Sequence, residues 1–466
     1  MLSDDILFAS VRSQGDAIRT GTLSPVVLTE AYLKRLETLG PKLNAVVTVT
    51  RDLALAQAKA AEKEIAAGKY RGPLHGIPYG AKDAFATKGI PTTWGTAPYR
   101  NQVFDCDATI ITRLAEAGAV LIGKLAMVEL VGGFGYDDSK ATFTGPARIP
   151  WNRDYYTGGS SSGSASATSA ALVAFSVGGE TGGSIVEPSS NCGLSGMRTT
   201  YGRVSRHGSV SLCWTLDKIG PMCRSAEDCG LVLNTIAGYD TLDPATSRRK
   251  FGYTGRAART RRFKVGVVNG SYERADSQIR MNFEKSLEAV AGFAKIERVD
   301  FPDYPYEAIL DTILLSEGTA AFRELVDSGR MRQLQNRVDR IAGYVGTTIS
   351  AVDYLQAQRV RKLARLAVDE LLSRYDALLG PTITSPAARI DQTIKRTALA
   401  AVPLVAAGNI AGLPAITVPN GFGENRLPSG LQFLGAAWSE AKLLGLADAY
   451  QQATDFHTQR PIISDL

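Results

Sequence analysis

Residues 158–164 read GGSSSGS, and residues 178–184 read GGETGGS. These two glycine- and serine-rich stretches enclose an Ala/Ser-rich segment and a short apolar run, a pattern that predicts one helix and one strand between two loops. Glycine lets backbone N–H groups converge because it adopts conformations that other residues avoid. Converging N–H groups suit an oxyanion hole, so a serine at the end of such a loop is a candidate nucleophile. The composition by itself is equally compatible with two flexible surface loops.

A serine nucleophile also needs a base within reach. The three histidines of the chain are His75, His207 and His457; the first lies in a stretch that favours a structural role, and the other two lack an obvious acidic partner in the sequence. Lys82 is the other candidate, because it ends the apolar, glycine-containing run GIPYGA at 76–81. Burial would draw the pKa of a lysine down toward neutrality. Taken alone, a lysine is more often a solvated surface residue, and that alternative stays open at this point.

Outward from these loops, the pattern alternates between helical and strand-like segments. Helical periodicity is predicted from Ser24 to Leu36, from about 52 to 67 and from about 276 to 293, whereas 263–268 (FKVGVV) reads as a strand. A long, mostly helical region covers 306–375. Such alternation favours an α/β architecture. Because no segment resembles a long linker, residues 1–466 are predicted to form one domain.

Composition restricts the possible classes of protein. The 466 residues carry 52 basic and 46 acidic side chains, a formal charge of +6, and the densest basic stretch is 256–264. Few aromatic residues accompany that stretch, so a solvated surface is predicted there and nucleic-acid binding is not. There are five cysteines without C-x-x-C spacing, no basic and apolar leader, and no apolar run of about 18 residues. These observations predict reduced thiols, a cytoplasmic location and no membrane contact.

Several motifs in fixed order resemble those of the amidase signature enzymes. The stretch 72–83 (GPLHGIPYGAKD) resembles the first motif of that family, and 158–164 with 182–185 resembles its central signature. The spacing between Ser160 and Ser184 agrees with the family pattern. The resemblance continues through 192–222 and 411–432, so it covers nearly the full length of the chain.

The resemblance implies a fold and a mechanism. The implied fold is α/β, a large mixed central β-sheet covered by helices on both faces, with a catalytic core over 70–230. Lys82 is the implied general base, Ser160 the bridging serine in a cis peptide and Ser184 the nucleophile. The N–H groups of Thr181, Gly182, Gly183 and Ser184 are the implied oxyanion hole. No metal or other cofactor is implied, and a small-molecule amide is the expected substrate, with anilides, esters and carbamates open to the same acyl-enzyme chemistry. The expected assembly is a monomer or a homodimer.

Substrate specificity is less readable than the reaction class. Phe134, Gly135 and Tyr136 follow a glycine pair and are candidates for the acyl side of the pocket, although core packing explains them equally well. Val186 stands where relatives often carry arginine, which weakens any inference about a particular substrate. Glu187 adds a carboxylate that would steer an amine-bearing substrate or form a structural ion pair. The helical region 306–375 is expected to cover the pocket.

Three alternatives remain to be tested. Residues 159–163 (GSSSG) fit the nucleophile elbow of α/β-hydrolases with Ser161 as nucleophile, but the elbow must follow a strand and 151–157 is polar and turn-like. Residues 118–125 nearly form a P-loop, but Leu125 stands where a Mg²⁺-binding hydroxyl is needed, and a buried strand is the better interpretation. The third alternative is the amidase subunit of a glutamine-dependent tRNA amidotransferase, which the weak basic balance and Val186 disfavour.

Overall fold

A computed structural model describes residues 2–255, 262–394 and 403–466. Within these ranges eleven strands form one central sheet in the order β1-β3-β2-β6-β8-β7-β12-β13-β11-β9-β10, and β4 pairs with β5 in a separate hairpin. The strands are β1 Val46–Val49, β2 Pro78–Lys82, β3 Val120–Leu125, β4 Arg148–Ile149, β5 Asn152–Tyr156, β6 Phe175–Glu180, β7 Ser195–Arg198, β8 Lys218–Cys223, β9 Phe263–Val268, β10 Ala294–Val299, β11 Ala377–Pro381, β12 Ala415–Phe422 and β13 Pro428–Leu434.

The sheet is mixed. Strand β2 runs parallel to β3 and β6, and β9 runs parallel to β10 and β11, whereas β8, β7, β12 and β13 join these two groups through antiparallel pairs. Every residue of β3, β8 and β13 is buried. Because successive side chains of a strand point to opposite faces, both faces of the sheet must be covered in its central part. The predicted mixed α/β fold is confirmed.

Helices supply that cover. Helix α3 begins behind the cap of Ser24, whose side chain accepts from Val27 N, with Pro25 at its first position, and it runs beyond the predicted Leu36 to Leu43. The helices are α1 Asp4–Leu7, α2 Val11–Arg19, α3 Pro25–Leu43, α4 Arg51–Ala66, α5 Thr109–Glu116, α6 Ser162–Ser169, α7 Val186–Asn191, α8 Ala226–Ile236, α9 Ser277–Ala291, α10 Tyr306–Ala321, α11 Arg323–Asp327, α12 Asp339–Gly346, α13 Ala351–Leu372, α14 Pro403–Ile410 and α15 Glu440–Ala453. No helix in the described ranges has the length and apolar character needed to cross a membrane.

Two sequence predictions have clear outcomes in the fold. The P-loop-like stretch is the buried strand β3, as expected from its four apolar residues. The prediction that 151–157 is turn-like is wrong, because β5 occupies Asn152–Tyr156 and pairs with β4. This hairpin lies outside the central sheet, and Arg153 and Asp154 of β5 are exposed. Its residues therefore lack the apolar alternation by which a strand is recognised. Residues 256–261 of the basic stretch lie outside the described residues.

The fold places the two glycine- and serine-rich loops next to one strand end. Strands β2 and β6 pair in parallel, with Ala81 opposite Val177, so both strands end on the same edge of the sheet. Lys82 is the last residue of β2, and the 181–184 turn follows β6. Carboxyl ends of parallel strands are where α/β proteins commonly place functional side chains.

Candidate active site

Lys82 lies in the interior with a serine as its nearest polar partner. Its side chain is fully buried, and Nζ lies 2.7 Å from Ser160 Oγ and 3.2 Å from the carbonyl oxygen of Gly179. Burial lowers the pKa of Lys82 to about 7, and the carboxylates of Asp217 and Glu180 oppose that shift. A lysine with such a pKa is neutral in a large fraction of molecules at physiological pH and can accept a proton.

Ser160, the partner of Lys82, lies in the first glycine- and serine-rich loop. The peptide bond between Gly159 and Ser160 is cis, as the resemblance implied, and Ser160 is fully buried. Val128 N donates to the carbonyl oxygen of Ser160 at 3.1 Å. The next residue connects the two loops, because Ser161 N donates to the carbonyl oxygen of Ser184 at 3.3 Å.

Ser184, in contrast, opens onto a cavity. It is partly exposed and lines a cavity of about 650 Å³, together with Gly159, Thr181 and Gly182. A cavity of this size is in the range that small-molecule sites occupy. A substrate in the cavity can therefore reach Ser184, while Lys82 and Ser160 stay shielded from water behind it.

Glu180 holds the backbone that follows Ser184, a role that sequence reasoning missed. Its Oε2 accepts from Ile185 N at 2.8 Å and from Val186 N at 3.0 Å. Its Oε1 accepts from Arg198 Nη1 at 3.1 Å and from Asn409 Nδ2 at 2.9 Å. Burial favours the neutral acid, but Arg198 and these hydrogen bonds outweigh it, so the pKa of Glu180 lies below its usual value. The available signal was a carboxylate in the middle of the second loop, between its two pairs of glycines.

Breaking the Glu180–Arg198 pair is expected to be costly. Glu180→Gln leaves Arg198, which is fully buried, without its counter-charge, and we expect a loss of about 3–5 kcal/mol in the free energy of unfolding. Urea unfolding of both proteins measures the loss. Glu424→Gln, at an exposed carboxylate of the cavity rim, is the control and should change stability by less than about 0.5 kcal/mol. Equal, small losses in the two variants would contradict a structural role for the pair.

Asp217 holds the start of the 181–184 turn. One of its oxygens accepts from Thr181 Oγ1 at 2.6 Å, and the other accepts from Leu212 N at 3.0 Å and Cys213 N at 2.9 Å. Burial raises the pKa of this carboxyl, against the effect of the donors. The turn that carries the N–H groups of Thr181 and Gly182 is therefore anchored at both ends, by Asp217 before Ser184 and by Glu180 after it.

The remaining candidate residues divide into two groups. Gly135, Tyr136 and Glu187 line the cavity, whereas Phe134 is buried and packs against Phe322 with ring centroids 6.1 Å apart. Leu310, Asp311 and Leu314 of α10 also line the cavity, and they belong to the helical region that was expected to cover it. Sequence reasoning missed the lining residues that come from 276–282, 383–394 and 423–429.

Ser161 is not placed for the elbow chemistry. It is fully buried and absent from the cavity wall; its Oγ donates to Gly179 O at 3.1 Å and accepts from Gly179 N at 3.3 Å. His75 is also fully buried and lies 3.3 Å from Glu64, consistent with a structural role. Within the described ranges no histidine lines the cavity, and no group of three or more His, Cys, Asp or Glu side chains is arranged to hold a metal ion.

Comparisons with known proteins agree with this architecture. The family model described as Amidase matches residues 27–444. The A subunit of the glutamyl-tRNA(Gln) amidotransferase from Acinetobacter baumannii (strain AB0057) is 34% identical over 492 residues, covering 99% of each chain. The corresponding protein of Halorhodospira halophila (strain DSM 244 / SL1) is 36% identical over 476 residues, covering 96% of this chain and 97% of that one.

Solved structures give the same result. The native peptide amidase of Stenotrophomonas maltophilia superposes with a TM-score of 0.85 at 30% identity, covering 97% of this chain and 98% of the other. The A subunit of the Thermotoga maritima glutamyl-tRNA(Gln) amidotransferase superposes with a TM-score of 0.82 at 28% identity, covering 98% and 97%. Fold and relatives together define a hydrolase-type enzyme that acts on carbon–nitrogen bonds. The chain belongs to the amidase family, that of the amidase signature enzymes.

Proposed function

We propose that this protein hydrolyses small to medium linear amides other than peptide bonds, through an acyl-enzyme on Ser184. The observation that carries the proposal is the 2.7 Å contact between Lys82 Nζ and Ser160 Oγ, directly behind a cavity that Ser184 lines. A buried neutral amine, a bridging hydroxyl and an accessible hydroxyl are the groups that proton-relayed nucleophilic attack requires.

The chemistry follows from these positions. Ser184 Oγ attacks the substrate carbonyl carbon and transfers its proton to Ser160 Oγ, while the proton of Ser160 passes to the neutral Nζ of Lys82. The oxyanion receives N–H donors from the turn Thr181 to Ser184, which Asp217 and Glu180 hold in place. The C–N bond then breaks, and the relay returns the proton to the leaving amine. Water attacks the acyl-enzyme through the same relay and releases the acid.

The cavity supports the substrate class. Its volume of about 650 Å³ suits a small or medium amide, and its wall combines Tyr136 and the aliphatic Leu310 and Leu314 with polar groups. We assign Gly135, Tyr136 and Glu187 to substrate contact on this basis. Because α10 contributes part of the wall, the helical region 306–375 forms part of the cover over the pocket. Anilides, esters and carbamates would pass through the same acyl-enzyme.

A second candidate function has its own support. The relatives from Acinetobacter baumannii and Halorhodospira halophila each belong to an amidotransferase, and the similarity spans 96–99% of this chain. A protein of that kind would liberate ammonia from an amide only within a larger assembly. Val186, in place of the arginine that the family pattern often has after the nucleophile, and the small basic excess favour the free-standing hydrolase.

The purified chain, assayed alone, separates these candidates. We expect it to release the aryl amine from a simple aryl amide without added protein, at a rate proportional to the concentration of the chain. Liquid chromatography of the released amine measures the rate, and the same preparation denatured beforehand is the control. Turnover of glutamine that appears only after the other amidotransferase components are added, with no aryl amide hydrolysis, would instead support the second candidate.

A further inference from the structure

A strained turn forms part of the cavity wall beside Ser160. Leu130 and Val131 have φ values of 50° and 65°, a left-handed conformation that is rare for a β-branched residue. Val131 and the following Gly132 line the cavity. A Cβ placed on Gly132 would lie 3.8 Å from Ser160 Cβ and 3.1 Å from the Tyr136 ring. Such a conformation persists only where surrounding contacts impose it.

Glu129 supplies one set of these contacts. Its backbone N–H donates to Ala141 O at 2.8 Å, and its fully buried carboxylate accepts from Gln335 N at 3.0 Å and Asn336 N at 2.8 Å. The latter two donors belong to the helical region, in the segment just before α12. The side chain of Glu129 therefore ties the strained turn to that region across more than 200 residues of sequence.

A second buried carboxyl completes the cluster. Asp339, the first residue of α12, is 1% exposed and shares a partner with Glu129, because Asn336 donates to both carboxyl groups. Its Oδ2 accepts from Asn336 Nδ2 at 3.2 Å, whereas its Oδ1 has no N–H or O–H donor among the described residues. Two carboxylates that share a buried site cannot both ionise readily. Burial and the charge of Glu129 raise the pKa of Asp339 to about 8, so the pair retains one proton at neutral pH.

The neighbouring charges do not compensate a second negative charge on Asp339. The negative charge of Asp137 raises the pKa of Asp339, as the charge of Glu129 does. The positive charge of Arg340 favours the ionised form of Glu129 instead, and its Nε donates to Leu334 O at 2.7 Å. On the elements packed against α12, two charged groups already have other partners. They are Arg330, which pairs with Glu324 at 2.8 Å, and Glu317, which accepts from Thr215 Oγ1 and Tyr354 OH, each at 2.8 Å.

We propose that Glu129 and Asp339 form a carboxyl clamp, a buried pair that shares one proton and holds the turn 130–132 against Ser160. Glu129 and Asp339 are then positioning residues, and the cavity wall loosens when the proton leaves. The catalytic part of this inference rests on the proposed function. The direction in which the clamp responds to a change of pH follows from the raised pKa of Asp339. An unfolded carboxyl titrates near pH 4, so the folded protein holds the extra proton up to about pH 8 and the contribution of the clamp is lost as the pH rises through that value.

Asp339→Asn tests the clamp directly, because the amide can donate to Glu129 and carries no ionisable proton. We expect hydrogen exchange in the segment 128–136 of the wild type, corrected for the intrinsic rate, to accelerate about tenfold between pH 7 and pH 9, and kcat/KM to fall from about pH 8 to pH 9. In Asp339→Asn neither change should occur. Asp228→Asn is the matched control: this carboxyl is also buried with a raised pKa but contacts Val11 N and Arg12 N, and the variant should behave as wild type.

The outcomes separate the clamp from the proposed function. Exchange in 128–136 that accelerates equally in wild type and Asp339→Asn, or in neither, would overturn the clamp, whatever the activity. If hydrogen exchange follows the expected pattern but Ser184 never reacts, the clamp remains supported and the assignment of Ser184 as nucleophile is wrong. If Asp339→Asn does not fold, Glu129→Gln replaces it. Removing the charge of Glu129 leaves Asp339 ionisable but lowers its pKa, so the acceleration of exchange should move to lower pH, and an unchanged midpoint would overturn the clamp.

Discussion

Ser184→Ala is expected to abolish amide hydrolysis and to leave the fold intact. The serine is partly exposed on the cavity wall, so losing its hydroxyl removes the attacking atom with little change in packing. Removing a nucleophile that works as a unit with its base costs about four to six orders of magnitude in kcat. Steady-state rates and the circular dichroism spectrum of the variant measure the two parts of this expectation.

A fluorophosphonate probe followed by mass spectrometry locates the nucleophile independently of any substrate. We expect one adduct on the wild type, in the peptide that contains Ser184, and none in Ser184→Ala. Ser161→Ala is the matched control, because Ser161 is buried and hydrogen-bonded to Gly179, and the variant should still be labelled at Ser184. An adduct on Ser161 in the wild type would transfer the role of nucleophile to the elbow-like motif.

Lys82→Ala is expected to lower kcat/KM by about three orders of magnitude or more, since the relay then has no terminal proton acceptor. The wild-type pH profile should report the same group. Burial lowers the pKa of Lys82 to about 7, so the neutral, active form predominates above that pH and kcat/KM should rise as the pH increases from 6 to 8. This rising limb should be absent from the residual activity of the variant.

The control for the lysine variant is Lys88→Ala, an exposed lysine a few residues further along the chain. It should keep both the rate and the pH profile of the wild type. A rate in Lys82→Ala within tenfold of wild type, or an unchanged rising limb, would assign the base to another group. Together with the loss of the clamp proton above about pH 8, titration of Lys82 predicts a bell-shaped profile whose two limbs belong to two different side chains.

Local sequence was sufficient for the parts of the site that lie within single segments. The apolar run before Lys82 suggested the burial that the structure shows, although a solvated lysine stayed open as an alternative. The glycines of the two loops likewise suggested converging backbone around Ser160 and Ser184, with flexible surface loops as the alternative. The strand at 263–268 and the helix from Ser24 were also readable, because periodicity and caps are properties of neighbouring residues. The strand at Asn152–Tyr156 was not, since its exposed polar side chains carry no such period.

What tertiary structure alone decided is how distant polar groups meet. Glu180 pairs with Arg198 and Asn409, Asp217 accepts from Thr181, and Glu129 and Asp339 both accept from Asn336. These side chains share no local pattern in the sequence. Their separation along the chain leaves no periodic signal, and their significance arises only when burial removes water and each charge must find a partner. Motifs that resemble the amidase signature indicated the class of enzyme and the residues of the predicted relay. Packing of the sheet and helices determined which carboxyl groups contact the backbone and side chains around Ser184 and beside the turn 130–132.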